Sequence, residues 1–210
     1  MTTDRPTTLP PEWAESLLRL LLAAKDRDSV SGDLLEEYRQ SIVPARGAGA
    51  DRWYLRQVAW YVLRATAVWS VLIGAICVTR YLFDTLAPIQ YTRGVVALRS
   101  AVMSWALIGT FASAGAWQTW RSGDTRSGLL VSALTALVGS LLAQAGTLVC
   151  LAIWHDPEIW RAIEGSGGTG ELWGLPVQMM LIGSIVGSFG SLAGGFLYWS
   201  SRRLGIKQDV

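Results

Sequence analysis

Residues 129–154 read LLVSALTALVGSLLAQAGTLVCLAIW, a continuous run without a charged side chain, and this stretch decides the fold class. A helix needs about 20 mainly apolar residues to cross the hydrocarbon core of a bilayer, and it satisfies its backbone polar groups internally. The run meets both conditions. The sequence therefore predicts an all-α membrane protein.

Three other segments follow the same pattern, and together they predict four transmembrane helices. The predicted spans are residues 61–83, 100–120, 129–154 and 175–199, within a transmembrane domain of residues 61–201. The first is the least regular, because Arg64 and Arg80 must both reach towards headgroups at opposite ends. Tryptophans near the span ends, such as Trp60, Trp120 and Trp199, are typical of the aromatic belts at membrane interfaces.

Arginine and lysine residues near the span ends predict the orientation. One side carries Arg52, Arg56, Arg64, Arg121, Arg126, Arg202, Arg203 and Lys207. The other side carries only Arg80, Arg93, Arg99 and Arg161. Loops rich in Arg and Lys stay in the cytoplasm. We therefore expect a multi-pass membrane protein with both termini, including the tail 202–210, in the cytoplasm.

Small residues recur at four-residue intervals in the fourth predicted span. Gly183, Gly187 and Ser191 form one ridge, and Gly190 with Gly194 forms another beside it. Helices in a membrane associate where small residues let their backbones approach closely. The ridges predict helix packing within the four-helix bundle or, alternatively, a homodimer seam or a contact with another membrane protein.

The sequence offers little for catalysis, metal binding or nucleic-acid binding. One histidine rules out a site with paired histidines. His155, Asp156 and Glu158 cluster after the third span, but Pro157 makes a helix-ending turn the simpler interpretation. The net charge of +2 comes without a compact basic cluster outside the membrane flanks, which argues against direct nucleic-acid binding. We expect a protein without enzymatic activity, metal or cofactor.

The charged N-terminal part predicts a small helical domain over residues 11–60, after a disordered stretch at 1–10. The first predicted helix runs from Pro11 to Ala24, and the second from Val30 to Ile42. The predicted apolar stripe of the first helix is Trp13, Leu17, Leu20, Leu21 and Ala24, and that of the second is Leu34, Leu35, Tyr38 and Ile42. Residues 44–50 are predicted to form a loop. A third helix from about Asp51 is expected to continue into the first span.

Four residues at four-residue intervals mark one face of this third helix. They are Arg52, Arg56, Trp60 and Arg64. This stripe is predicted to face anionic lipid headgroups, where each arginine contributes on the order of 1 kcal/mol. The simpler alternative is topological anchoring without a regulatory role.

Several short motifs in the N-terminal domain carry a resemblance to a known module. They are Lys25-Asp26-Arg27-Asp28, then Gly32-Asp33-Leu34-Leu35-Glu36-Glu37-Tyr38, then Trp53-Tyr54 and Arg56-Gln57. Residues 10–64 resemble the prefix domain ahead of some bacterial macrolide-exporter-like ABC permeases. Similar modules occur in membrane sensors associated with PadR-type transcription regulators. The resemblance implies a non-catalytic cytoplasmic module and a location in the bacterial inner membrane. The chain lacks the permease's large extracytoplasmic domain and its nucleotide-binding motif, so permease activity is not implied.

These features lead to two functional hypotheses. In the first, the chain is a regulatory, sensory or transporter-accessory protein, whose partner is an ABC transporter component or a PadR-type regulator. The predicted partner-binding residues are Asp33, Leu34, Glu36, Glu37 and Tyr38, although exposed acidic residues can equally form a merely solvated face. In the second, the chain is a small transport subunit that forms a homo-oligomer through span four. That hypothesis predicts a polar cavity near Gln144 and Gln178.

Overall fold

The computed structural model describes residues 9–86, 93–154 and 169–204, and these ranges are almost entirely helical. The helices are α1 (Glu12–Leu21), α2 (Arg27–Glu37), α3 (Val43–Arg46), α4 (Ala50–Leu86), α5 (Arg93–Ser122), α6 (Thr125–Trp154) and α7 (Thr169–Arg203). A π-helical turn, Tyr38–Ile42, joins α2 to α3, and a 3-10 turn, Gly47–Gly49, joins α3 to α4. The predictions for residues 1–8, His155, Asp156, Glu158 and the tail after residue 204 lie outside the described residues.

Three helices are long and apolar enough to cross a membrane. They are represented by Ala50–Thr79 of α4, Thr125–Cys150 of α6 and Pro176–Arg203 of α7, which contain most of the first, third and fourth predicted spans. The second predicted span lies in α5, a helix of 30 residues that is not among the three. The fourth crossing therefore stays a prediction.

The bundle formed by α4 to α7 has mainly small and polar residues inside, apart from Ile73, Phe111 and Val131, and many large apolar residues outside. Side chains such as Val68, Trp105 and Phe189 are at least 70% exposed. The buried polar side chains of its middle part are Thr66, Ser70, Thr110, Ser132, Thr135, Ser140, Gln144 and Ser191. This distribution is the reverse of that in a water-soluble domain. Together with the three long apolar helices, it indicates a multi-pass membrane protein.

Alpha-helices α5 and α6 form an antiparallel hairpin through a tight turn at Gly123 and Asp124. Gly123 has a φ of 72°, and a Cβ there would lie 2.9 Å from the Tyr198 ring. Both its backbone conformation and its close neighbour therefore require glycine. Asp124 caps α6, since its carboxylate accepts a hydrogen bond of 2.8 Å from the Arg126 amide. This turn defines the end of the bundle at which the N-terminal domain lies.

The N-terminal domain packs its core against the first turns of α4. Its buried apolar residues are Ala14, Leu18, Leu22, Tyr38, Ala50, Trp53, Tyr54 and Val58. The expectation that the third helix continues from the domain into the first span is confirmed, because α4 runs without interruption from Ala50 to Leu86. The domain and the first span therefore share one rigid element. Residues 9–62, including the first part of α4, are called the module below.

The predicted apolar stripe of the first helix was right at Leu21, which is buried, and at Leu17, which packs against the core, but wrong at Trp13 and Ala24. Trp13 is 61% exposed and Ala24 is exposed, whereas Ala14 and Leu18 are fully buried. The small side chain of Ala14 lets α1 lie close to α4. This close approach buries the face of α1 with Ala14 and Leu18, and periodicity alone did not distinguish it from the face with Trp13. The helix also ends at Leu21 rather than Ala24.

The predicted loop at residues 44–50 was also wrong. Residues 43–49 form one α-helical turn and one 3-10 turn, so the chain stays helical from α2 to α4. Pro44 is compatible with this because it lies in the first turn of α3, where its missing N–H has no helical partner. Gly47, with a φ of 50°, allows the change of direction between the two turns.

Candidate functional site: the docked module and its exposed faces

Tyr38 lies at the centre of the module. Its hydroxyl donates a hydrogen bond of 2.5 Å to the Asp51 carboxylate, and its ring contacts Tyr54 edge to face at 5.7 Å between centroids. Burial, assisted by the hydrogen bond and by the negative charge of Asp51, raises the pKa of Tyr38 to about 12. With 1% of its surface exposed, Tyr38 holds the second helix on α4.

This position changes the set of residues predicted to bind a partner. Asp33, Glu36 and Glu37 are exposed on the outer side of α2. Leu34 is partly buried and packs against the module core, beside the buried Tyr38. The predicted set therefore divides into three surface carboxylates and two apolar residues that position α2. Tyr38 itself is not accessible to a partner in this structure.

Three hydrogen bonds fasten the module to the end of the bundle. Gln118, on α5, donates from Nε2 to the Leu21 carbonyl at 2.9 Å. The same amide group also donates to the Ser127 hydroxyl at 2.8 Å, but this hydrogen bond lies within the bundle and is not one of the three. The Ala24 amide donates to the Arg121 carbonyl at 3.3 Å. We call this contact the module joint. Sequence reasoning missed it, because a glutamine near a helix end carries no sign of its distant partner.

A third donor of the module joint is Arg27. Its guanidinium donates to the Ser122 carbonyl at 3.1 Å. The last carbonyls of a helix have no partner within the helix and carry partial negative charge. Arg27 and the Ala24 amide supply donors to two such carbonyls of α5. The module thus caps the C-terminus of α5, and its residues Ala24 and Arg27 lie beside the α5–α6 turn.

A polar groove of about 430 Å³ runs between α1 and α2 on the module surface. Its described lining residues are Glu15, Arg19, Asp28, Ser31, Gly32, Leu35, Glu36, Arg39 and Gln40. Arg19 lies 2.9 Å from Asp28 and 3.8 Å from Glu15, and Gln40 donates to Glu36 at 2.8 Å. The groove connects the second predicted helix with the first and includes Glu36 from the predicted partner-binding set.

The stripe on α4 is exposed over its whole length. Arg52, Arg56, Trp60 and Arg64 all lie on the surface, and Arg56 and Trp60 line a second groove with Gln57, Ala59 and Leu63. The opposite face of the same helix turns supplies Trp53, Tyr54 and Val58 to the module core. One segment of α4 therefore has one face in the module core and the opposite face exposed.

The glycine ridges of α7 face the interior of the bundle. A Cβ at Gly183 or Gly187 would meet Ala136 or Ser132 of α6, and a Cβ at Gly190 or Gly194 would meet the backbone of α5. Ser191 is buried between them, with its hydroxyl donating to the Gly187 carbonyl at 2.7 Å. These residues pack within one chain, which leaves them no free face for a homodimer seam.

The two glutamines of the transport hypothesis do not converge. Gln144 is buried inside the bundle, and Gln178 is exposed on its outer surface. Among the residues whose burial the structure describes, no Asp, Glu, Lys or Arg is buried. In the same ranges, no cluster of three or more His, Cys, Asp and Glu residues has a geometry for a metal ion. Neither amide is among the described lining residues of the two grooves, so the mid-membrane polar cavity stays a prediction.

The fold and its module joint define a class: an all-helical, multi-pass membrane protein with a helical module fastened to one end of its bundle. Comparison with protein-family models, with curated proteins and with solved structures found no match.

Proposed function

We propose that this chain is a non-enzymatic adaptor or sensor of the bacterial inner membrane, with four spans and a cytoplasmic module that binds a protein partner. The observation that carries this proposal is the module joint. Because α4 belongs to both the module core and the bundle, and Gln118 and Arg27 tie the module to the α5–α6 turn, a relative movement of these helices changes the module. A change within the bilayer is thereby coupled to the surface of α2.

The exposed surface of α5 supports the fourth span. Leu98, Val102, Trp105 and Ile108 follow each other at intervals of four and three residues, and all are exposed. Exposure of such a stripe to water is unfavourable, whereas contact with lipid tails is favourable. On its other side α5 packs closely on α7, through the contacts of Ala112 and Ala116 with Gly190 and Gly194. A helix that lies between membrane-spanning neighbours and exposes apolar residues is best accounted for as a span.

Exposed arginines support a cytoplasmic location of the module. Arg52, Arg56, Arg121 and Arg126 all lie on the surface near the module or the α5–α6 turn. At the end of α7, Arg203 stacks on Trp199 at 3.6 Å and Arg202 on Tyr198 at 5.6 Å. The contact of Gly123 with Tyr198 brings this end of α7 to the same turn. Basic residues concentrated at one end favour the cytoplasmic side for that end.

The partner is expected to present basic residues. The outer side of α2 displays Asp33, Glu36 and Glu37, and the neighbouring groove adds Asp28 and Glu15, of which Arg19 neutralises only part. Complementary charge mainly steers association and selects the partner. Together with the resemblance of residues 10–64 to a permease prefix domain, this favours an ABC transporter component or a PadR-type regulator as the partner.

A charge-reversal capture experiment tests this proposal. The tagged full-length chain is solubilised in detergent, and co-purifying proteins are compared between the wild type and the Glu36→Lys/Glu37→Lys variant. We expect the variant to lose an ABC transporter component or a PadR-type regulator that the wild type retains. Glu12→Lys is the matched control, because Glu12 is exposed on α1 but lies outside the acidic face and the groove. Identical captures from all three proteins would refute partner binding through α2.

A further inference from the structure

The surface of α4 changes character within a few residues at its exit from the module. Arg52 and Arg56 are exposed on the module side, whereas Val68 and Val71 are exposed further along the helix. Between them lies Trp60, which is 60% exposed. Tryptophan favours the boundary between headgroups and acyl chains, because its ring is apolar and its N–H is polar. The change therefore locates the membrane surface at about Trp60 to Arg64.

A groove lies on the same level of α4. It has a volume of about 510 Å³ and is lined, within the described residues, by Arg56, Gln57, Ala59, Trp60 and Leu63. The lining has an order: a guanidinium and an amide towards the module, then the indole ring, then an aliphatic side chain. This order matches the order of a phospholipid, in which the phosphate is followed by the glycerol esters and the acyl chains.

The arginines of this face are free to bind an anion. Within the described ranges, Arg52, Arg56 and Arg64 have no ion pair, and the ion pairs found there all involve Arg19. An arginine can hold a phosphate by two parallel N–H···O bonds, and this geometry is more specific than a diffuse attraction. Three unpaired arginines on one face also exceed the charge of a zwitterionic headgroup, so net negative charge is required for complementarity.

We propose that the groove at Arg56, Trp60 and Leu63 is a binding site for one anionic phospholipid, whose phosphate is held by Arg56 with support from Arg52 and Arg64. The lipid lies on the face of α4 opposite Trp53, Tyr54 and Val58, which carry the module. Occupancy of the groove therefore stabilises the segment of α4 on which the module is built.

Native mass spectrometry of the detergent-solubilised full-length chain tests this site, with dioleoylphosphatidylglycerol and dioleoylphosphatidylcholine as the two probes. We expect the first bound phosphatidylglycerol to be retained at least about fivefold more strongly than phosphatidylcholine. Arg56→Gln should reduce the phosphatidylglycerol affinity about fivefold, and it should reduce the phosphatidylcholine affinity less, because the choline group of that lipid balances its phosphate charge. Arg52→Gln combined with Arg56→Gln should reduce it about 25-fold if the contributions add.

Arg126→Gln is the matched control, because Arg126 is also an exposed arginine beside the module end of the bundle but is not among the groove residues. This variant should bind the first phosphatidylglycerol like the wild type. Equal losses in Arg56→Gln and Arg126→Gln would overturn the proposal in favour of diffuse surface charge. Equal retention of the two lipids by the wild type would overturn it as well. Unchanged melting temperatures in detergent establish that the variants are folded, since neither guanidinium has a hydrogen-bonding partner among the described residues.

Discussion

The module and the bundle belong to one chain, but they are stabilised by different kinds of packing. The module buries large side chains, among them Leu18, Tyr38, Trp53 and Tyr54, and leaves charges outside. The bundle buries mainly Gly, Ser, Thr and Ala, with Ile73, Phe111 and Val131 as large exceptions, and leaves many Val, Leu, Phe and Trp side chains outside. In water, apolar burial drives folding, whereas lipid tails are as apolar as leucine and close backbone packing takes over. In the proposed arrangement, helix α4 passes from water into lipid near Trp60.

This difference leads to a general expectation about mutations. Removing volume should damage the module, and adding volume should damage the bundle. The four predictions below are in order of decreasing effect; the first two test that contrast, and the last two test the hydrogen bonds that hold the module.

Leu18→Ala should have the largest effect, because it opens a cavity in the only apolar core described for the module. Leu18 is fully buried against α4. A loss of about 2–5 kcal/mol in the local stability of the module is expected. Amide hydrogen exchange of α1 and α2 in the detergent-solubilised chain measures this loss. Trp13→Ala, which removes a larger but exposed side chain, should change exchange by no more than about 0.5 kcal/mol. Similar effects of both variants would mean that α1 is not docked by this face.

Gly190→Ala should destabilise the bundle, although it adds only one methyl group. The added Cβ would lie 2.8 Å from the carbonyl carbon of Ala112, so α5 and α7 must move apart. Such overpacking is expected to cost about 1–3 kcal/mol, measured by unfolding in mixed micelles with increasing SDS. Gly109→Ala is the control, because a Cβ there has no neighbour within 4 Å. The contrast between module and bundle fails if Gly190→Ala unfolds at the same SDS fraction as Gly109→Ala.

The membrane class and the course of α4 were predictable from the sequence, because each depends on a long uniform signal. A run such as residues 129–154 is apolar over its whole length, and nothing between Arg52 and Phe83 interrupts a helix. The buried face of α1 was not predictable to the residue. Its apolar stripe is wide enough for two orientations, and the choice between Trp13 and Ala14 depends on how closely α4 approaches.

The site was predictable only where its residues act locally. The exposed stripe of Arg52, Arg56, Trp60 and Arg64 follows from helical spacing alone, and the structure has all four on the surface. Tyr38 was assigned to a partner surface, but its contact with Asp51 across the module makes it a core residue. The module joint needs Gln118 and Leu21, which lie 97 residues apart. A single sequence without tertiary contacts has no signal for such a pair.

Gln118→Leu should loosen the module without unfolding the bundle. The change keeps the volume but removes the donor to the Leu21 carbonyl, which stays buried without a partner. The expected loss is about 1–3 kcal/mol at the joint, or roughly a tenfold or greater increase in the exchange rate of the α1 amides. Gln178→Leu is the control, since Gln178 is exposed on α7. A faster exchange in α6 and α7 together with α1 would indicate that Gln118 supports the bundle itself.

Tyr38→Phe should have the smallest effect at neutral pH, a loss of about 1 kcal/mol for the hydrogen bond to Asp51. Its distinguishing effect is on alkaline pH dependence. The pKa of Tyr38 is raised from 10.0 to about 12 in the folded protein. An unfolded chain therefore releases this proton first, and the stabilisation, complete below pH 10, is lost as the pH rises towards 12.

The difference in unfolding free energy between wild type and Tyr38→Phe should consequently shrink and then change sign between pH 10 and pH 12, because one pKa unit corresponds to about 1.4 kcal/mol and the shift exceeds one unit. Equilibrium unfolding of the two proteins in parallel measures this difference. The subtraction removes the titration of other tyrosines, lysines and arginines, which both proteins share. A difference that stays constant over this range would mean that Tyr38 ionises as easily in the folded chain as in the unfolded one. The hydroxyl would then be in contact with water, and Tyr38 would return to the set of residues that a partner can reach.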